Sequence, residues 1–373
     1  MRVVAGRIAH FRNLDEVRLQ PSGHFNAFLG PNGQGKTNLL EALFFVSALR
    51  PLRAVPRRAL LQHGAEESRI QLDVHRQRTG LTHRLELRFR KGSRRLLKDE
   101  GTVNTADFLG HFVTVAFTPD DLDLSKGPPE QRRRFLDRAV LNAAPSYLEH
   151  ALRYQKAMKE RNRLLADQGS ESALRAYDEV LAREGLELAQ RRWRFVEDWA
   201  PEMAGAFARI AAPAPPVQVC LQTEVEFEAG VDGYLEKLKE SRARDRARRK
   251  TSFGPHRDDL ALVLGDAPAR ERASQGQHRA MALAMKLAEL KHTSHRLGEA
   301  PVLLLDDMSS ELDEARQQNL FAAIREVDGQ VMLTSTSDPA SVARTLGTAS
   351  ELRVHAVRDG AISIEEDQGS LSP

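Results

Sequence analysis

Cysteine is almost absent. Cys220 stands alone in 373 residues, so no disulfide can close within the chain and no thiolate zinc cluster can be built. Long apolar runs are missing too. Nothing reaches the ~18 consecutive apolar residues that a membrane-crossing helix needs, and the opening MRVVAGRIAHFRN has no signal-peptide core. A soluble cytoplasmic protein with no membrane partner is the expectation. Aromatics make up only 6% of residues, and few interleave with the basic clusters, which argues against a base-stacking platform for single strands. Nor does one charge dominate. The 55 Lys and Arg face 52 Asp and Glu, a net +3, so any nucleic-acid binding must come from local patches.

The chain is long enough for one large α/β domain plus a second lobe. Its first third reads as β-rich, with strand patterns over 2–11, 69–75, 83–90 and 113–117 and turn signals at Gly80 and Gly92. From Pro128 the character changes, and a helix opens at QRRRFLDRAV. Residues 145–212 follow helical spacing, broken at Gly169–Ser172. This is an αα-hairpin, either a cover for a core or a stubby arm. Ala212-Pro-Ala-Pro-Pro216 is a stiff connector; strand patterns at 217–227 and 259–264 flank a charged helix over 233–250. No internal repeat is evident, and the polar residues 367–373 read as a flexible tail.

Against this background GPNGQGKT, Gly30 to Thr37, fits the phosphate-loop pattern G-x-x-x-x-G-K-[ST]. Its surroundings fit as well: an apolar strand over 24–29 precedes it and an apolar helix over 38–49 follows. Glycines let successive N–H groups turn inward on an anion, and the helix dipole adds to them. The candidate nucleotide-binding residues are Gly30, Asn32, Gly33, Gln34, Gly35, Lys36, Thr37 and Asn38. Lys36 would reach the outer phosphates, and the Thr37 hydroxyl is a hard oxygen ligand for Mg²⁺.

The partner for such a loop stands far along the chain. Pro301-Val-Leu-Leu-Leu305 is fully apolar, as suits the centre of a parallel sheet, and runs straight into Asp306 and Asp307. Carboxylates at the end of such a strand lie where α/β proteins bind ligands. Asp306 would hold Mg²⁺; Asp307 would orient and polarise the attacking water. Most of the chain separates loop from acids, so a large insert must divide one sheet into two halves. A third motif, ASQGQHR over 273–279, precedes the apolar helix 280–290 and puts Ser274, Gly276 and Gln277 at an anion-receptive helix tip. Alone it would be an ordinary cap. With the other two motifs it is similar to the signature sequence of ABC-type ATPases.

Taken together, HFRNL (10–14), GPNGQGKTNLLEAL (30–43), PPEQRRRFLD (128–137), FGPHRDDL (253–260), ASQGQHR (273–279) and LLLDDMSSELD (303–313) resemble the RecF family of bacterial recombination mediators, itself akin to SMC heads. The resemblance spans most of the chain. It implies an α/β fold: an ABC-type phosphate-loop ATPase head, residues 1–127 and 251–366, with a mainly helical insert, 128–250, as second lobe. It implies Arg12 and Asn13 near the base or sugar, Ser274 and Gly276 on the γ-phosphate of ATP held by a second copy, and Asp313 across that seam. Gln62 is placed by position alone as the glutamine that senses Mg²⁺ and water. Two departures from the wider ABC pattern imply slow hydrolysis. The second acid is Asp307 rather than glutamate, and the usual late histidine is replaced by a hydroxyl residue in VMLTST, 331–336.

The implied function is an ATP-dependent homodimer that clamps double-stranded DNA near gaps in recombinational repair and replication, releases it on slow hydrolysis, and works with a RecR-type mediator and a RecA-type recombinase. Candidate phosphate contacts are Arg50, Arg53, Arg57 and Arg58; Arg88, Arg90, Lys91, Arg94 and Arg95; Arg132–Arg134; and Arg242–Lys250. Any such run can equally be a solvated face. The rivals are a transporter ATPase subunit, opposed by the large insert and the missing histidine; a small-molecule kinase, which leaves the 274–277 tip idle; and an interaction protein with a vestigial ATP site.

Overall fold

The computed structural model describes residues 1–53, 55–307, 314–326, 329–346 and 352–364. The chain runs β1 (Arg2–Phe11), β2 (Leu14–Leu19), β3 (Phe25–Leu29), α1 (Lys36–Ala48), β4 (Glu67–His75), β5 (Thr82–Arg90), β6 (Ser93–Lys98), β7 (Gly101–Thr102), α2 (Thr105–Phe108) and β8 (Thr114–Phe117). Next come α3 (Pro129–Ala143), α4 (Tyr147–Ala166), α5 (Glu171–Ile210), β9 (Val217–Gln222), α6 (Gly230–Glu240), α7 (Arg242–Arg248), β10 (Asp259–Leu264), β11 (Ala267–Pro268), α8 (Ala269–Arg272) and α9 (Gln275–Leu297). The last described elements are β12 (Val302–Asp306), α10 (Glu314–Arg325), β13 (Val331–Ser335), α11 (Pro339–Leu346), β14 (Leu352–Arg358) and β15 (Ala361–Ile364). Contacts divide the chain into two compact units, Met1–Leu122 with Met285–Pro373, and Asp123–Ala284.

In the first unit the two ends of the chain share one sheet, in the order β15-β14-β3-β13-β12-β8. Every pairing from β14 to β8 is parallel, and β15 is an antiparallel edge. β3, β8, β12 and β13 are wholly buried, which is why their sequences are continuous apolar runs rather than alternations. A second, antiparallel sheet follows the order β2-β1-β4-β5-β6-β7. Helix α1 contacts β8, β12 and β13 of one sheet and β1 and β5 of the other. It is therefore apolar nearly all round, and Phe45 packs edge-on to Phe89 with centroids 5.3 Å apart.

The second unit is mainly helical, with the small sheet β11-β10-β9. The pairing of β10 with β9 ties residues 259–264 to this unit. Strand β9 stops at Gln222, short of the expected 227, and the charged segment forms two helices that break at Ser241. The long pair α4 and α5 is held by buried charge. Arg161 is fully buried and bonds Asp178 (2.7 Å), Asp245 (2.8 Å) and the Thr251 hydroxyl. Arg192 bonds Asp137 and Asp258, each at 2.7 Å. Buried pairs of this kind are costly to break from one side.

Candidate functional site

The phosphate-loop segment lies at the carboxyl end of β3. Pro31, Asn32 and Gly33 are exposed; Gly35 and Lys36 are buried. Gly35, at φ 106°, caps the N-terminus of α1. The Lys36 Nζ donates to the carbonyls of Gly30 (2.6 Å) and Pro31 (2.8 Å), so its ammonium lies inside the loop's curl. Beside it, the Thr37 Oγ1 donates to Asp306 Oδ1 at 2.8 Å across 269 residues of sequence. Strand order explains the meeting: β13 alone stands between β3 and β12, and all three point the same way.

That middle strand supplies a residue left unspecified within VMLTST. Thr334, buried, donates to Asp306 Oδ1 (2.9 Å) and accepts from the Asp307 backbone N–H (3.0 Å). Asp307 itself takes a left-handed backbone, φ 43°. Burial pushes the Asp306 carboxyl above its ordinary range, opposed by the hydrogen bonds from Thr37 and Thr334. Burial likewise pushes the Lys36 ammonium down, opposed by the charges of Asp307 and Asp306. Each charged form is thus under-solvated, and each would gain from an opposite charge: a phosphate for Lys36, a cation for Asp306. A hydroxyl and a carboxylate oxygen side by side are donors suited to Mg²⁺. The residues present fit a metal-bound nucleotide triphosphate.

Other sequence candidates are distributed as follows. Asn13 lies on the loop, its amide donating to the Gly33 carbonyl (3.4 Å) and accepting from the Asn38 side chain (2.8 Å). Arg12 pairs with Glu41, fully buried on α1, and Arg53 reaches the same carboxylate as well as Asn38. The Gln62 side chain bonds His10 Nδ1 (2.9 Å). Ser274 and Gln277 belong to the other compact unit and form a reciprocal cap: Ser274 N–H donates to Gln277 Oε1 (2.8 Å), and Gln277 N–H to Ser274 Oγ (3.2 Å). Gly276 lies in that first turn, and Ser274 is exposed. Asp313 lies outside the described residues.

Part of each basic cluster is committed within the fold. Arg88 pairs with Glu86, Arg90 with Glu67 and Arg132 with Asp259. Arg242 holds Glu171 and Asp178, and Arg246 holds Glu171. Exposed cations with no ion pair among the described residues include Arg58, Lys91, Arg248, Arg249 and Lys250.

A mostly parallel sheet, a glycine-rich strand-to-helix loop and an acid at a nearby strand end together define a phosphate-loop nucleotide-binding head. The family model described as the RecF/RecN/SMC N-terminal domain matches residues 4–352. The DNA replication and repair protein RecF of Myxococcus xanthus (strain DK1622) is 40% identical over 347 residues, covering 90% of this chain and 91% of that one. The protein of that name from Anaeromyxobacter sp. (strain Fw109-5) is 40% identical over 344 residues, covering 90% and 92%. Among solved structures, the recombination mediator protein RecF-ATPrS in the RecFOR pathway aligns with a TM-score of 0.87 at 28% identity, covering 98% of both chains. An SMC head bound to the C-winged helix domain of ScpA, at TM-score 0.59 and 16% identity over 98% and 97%, shares the fold. The chain belongs to the RecF family of the RecF/RecN/SMC group.

Proposed function

We propose that this chain is an ATP-dependent DNA-binding protein of bacterial recombinational repair and replication, working in the cytoplasm. The observation that carries the reading is the Thr37–Asp306 contact beside Lys36, which gathers the elements of a triphosphate site from both ends of the chain. The names of its relatives support the biological setting. Lys36 and the loop N–H groups hold the phosphates; Thr37 and Asp306 hold Mg²⁺. Asp307 orients the attacking water, one methylene farther off than a glutamate would stand, so turnover is slow. Bound ATP supplies a scissile phosphoanhydride and the charge that joins two copies. Ser274, Gly276 and Gln277 of one copy reach the γ-phosphate held by the other, and Asp313 lies along that seam. Gln62 couples water and metal to this site. Residues 1–122 with the stretch from 285 on act as the head, and residues 123–284, which take in β10 and the 274–277 tip, act as the second lobe. The dimer holds duplex DNA near gaps through backbone contacts, and hydrolysis releases it. A RecR-type mediator and a RecA-type recombinase are the protein partners.

The reading is tested by ATP turnover with and without duplex DNA. The unmodified chain turns ATP over slowly and faster with DNA. Lys36→Met loses nucleotide binding, whereas Asp307→Asn binds ATP but hydrolyses it more slowly by about a hundredfold or more, in the range that loss of a positioned base costs (~10²–10⁴). Unchanged turnover in Asp307→Asn would contradict the assignment.

A further inference from the structure

The described β14–β15 hairpin overhangs the phosphate loop. Because β14 runs parallel to β3, with Ala356 opposite Leu29, both strands end on the same side of the sheet. Arg358 pairs with Ala361, leaving a two-residue turn, Asp359–Gly360, with both residues left-handed at φ 48° and 77°. The turn's two N–H groups go to one loop residue. Asp359 N–H donates to the Gln34 side-chain Oε1 (2.6 Å), and Gly360 N–H donates to the Gln34 backbone carbonyl (3.0 Å). Space is fully used. A Cβ on Gly360 would stand 2.1 Å from the Asn13 carbonyl oxygen, and one on Gly30 would stand 2.3 Å from that of Val357.

The consequence follows from the planar trans peptide, in which C=O and the next N–H point opposite ways. Pinning the Gln34 carbonyl on the hairpin turns the Gly35 N–H away from the hairpin. The Asn13 amide on the Gly33 carbonyl does the same to the Gln34 N–H. Two successive N–H groups on one side of a loop make an anion nest. We propose that the Asp359–Gly360 turn is a positioning element for nucleotide binding, which presets the loop N–H groups by holding Gln34 from outside. Neither residue touches the nucleotide; both act through Gln34. The inference rests on the ATP reading and adds a source of pre-organisation at the far end of the chain.

Its test is the affinity for ATP and for ADP, measured by displacement of a fluorescent nucleotide, with the melting temperature of the nucleotide-free chain alongside. Gln34→Met removes the side-chain acceptor at similar length, and Gly360→Ala forces the turn off Asn13. Each should weaken ATP and ADP alike, by about tenfold, because loop N–H groups serve the inner phosphates. Gly80→Ala is the control. That glycine is left-handed too, φ 69°, with nothing within 4 Å of a Cβ, so it carries the same backbone strain away from the loop. It should lower the melting temperature as Gly360→Ala does and leave both affinities unchanged. Three results would overturn the inference: wild-type affinity in Gln34→Met and Gly360→Ala, loss confined to ATP, or equal loss in Gly80→Ala. If the unmodified chain binds no ATP, the reading beneath it falls, and the inference with it; if only Lys36→Met fails to bind, the inference alone is wrong.

Discussion

Thr334 carries three demands at one oxygen. Its hydroxyl donates to Asp306, accepts from the Asp307 N–H, and is shut away from water. Thr334→Val keeps the shape and β propensity but removes the hydroxyl that this N–H donates to and that holds the Asp306 carboxylate. Stability should fall by about 1–3 kcal/mol, read from urea unfolding. ATP turnover should fall by roughly tenfold or more, with Thr334→Ser recovering most of both. A valine variant with unchanged turnover would remove Thr334 from the site. From sequence this residue is legible only as one hydroxyl among several in VMLTST; pairing register with Asp306 selects it. Glu41 is not legible at all. It is one acid inside an apolar helix, and its partners Arg12 and Arg53 come from separate segments. By contrast the meeting of Lys36 and Thr37 with the Asp306–Asp307 strand end is legible, because a phosphate-loop pattern and an apolar strand ending in acids are fixed residue types beside apolar strands.

At the scale of elements, β14 lies against β3 through His355. Its ring stacks on Phe28 at 4.7 Å and 17°, and it is 1% exposed. Burial pushes its pKa down to about 4 from the ordinary 6.5, helped by nearby Arg353. The folded chain therefore keeps His355 neutral at pH values where the unfolded chain protonates it. The stabilisation is complete above pH 6.5, is lost as pH falls from 6.5 towards 4, and changes no further below that. A drop of about 3 kcal/mol is the most this group can cause. His355→Phe should remove about that much of the difference in unfolding free energy between about pH 7.5 and about pH 4.5. An unaltered pH slope would show that the ring is not what titrates. The fully buried parallel strands β3, β8, β12 and β13, and helix α1, are legible in the sequence because burial on all sides leaves them mostly apolar. Strands β14 and β15 are missed: two arginines and a histidine interrupt any apolar run in LRVHAVR, and AISI is only four residues long. The Asp359-Gly360 pair between them is the signal that could have found them. Helix α5 runs on through Pro201 for 40 residues, because packing of Trp199, Met203 and Phe207 outweighs the lost hydrogen bond.

For the whole molecule, the need for an insert is legible from the distance between loop and acid strand, and β3 and β12 do share a sheet. The insert's ionic core is not, because Arg161, Asp178, Asp245 and Thr251 come from separate segments of the chain. Nor is the committal of part of each basic cluster to internal ion pairs, since composition cannot distinguish an arginine that binds a phosphate from one that braces a helix. The 274–277 helix tip carries its own reciprocal cap, and Ser274 is exposed. The central claim is that ATP joins two copies through that tip. Molar mass by light scattering, with and without ATP, tests it most directly. The account predicts a monomer without ATP and a dimer with it, no dimer for Lys36→Met, and for Ser274→Arg a monomer that still binds nucleotide. A Ser274→Arg chain that dimerises normally with ATP would contradict it.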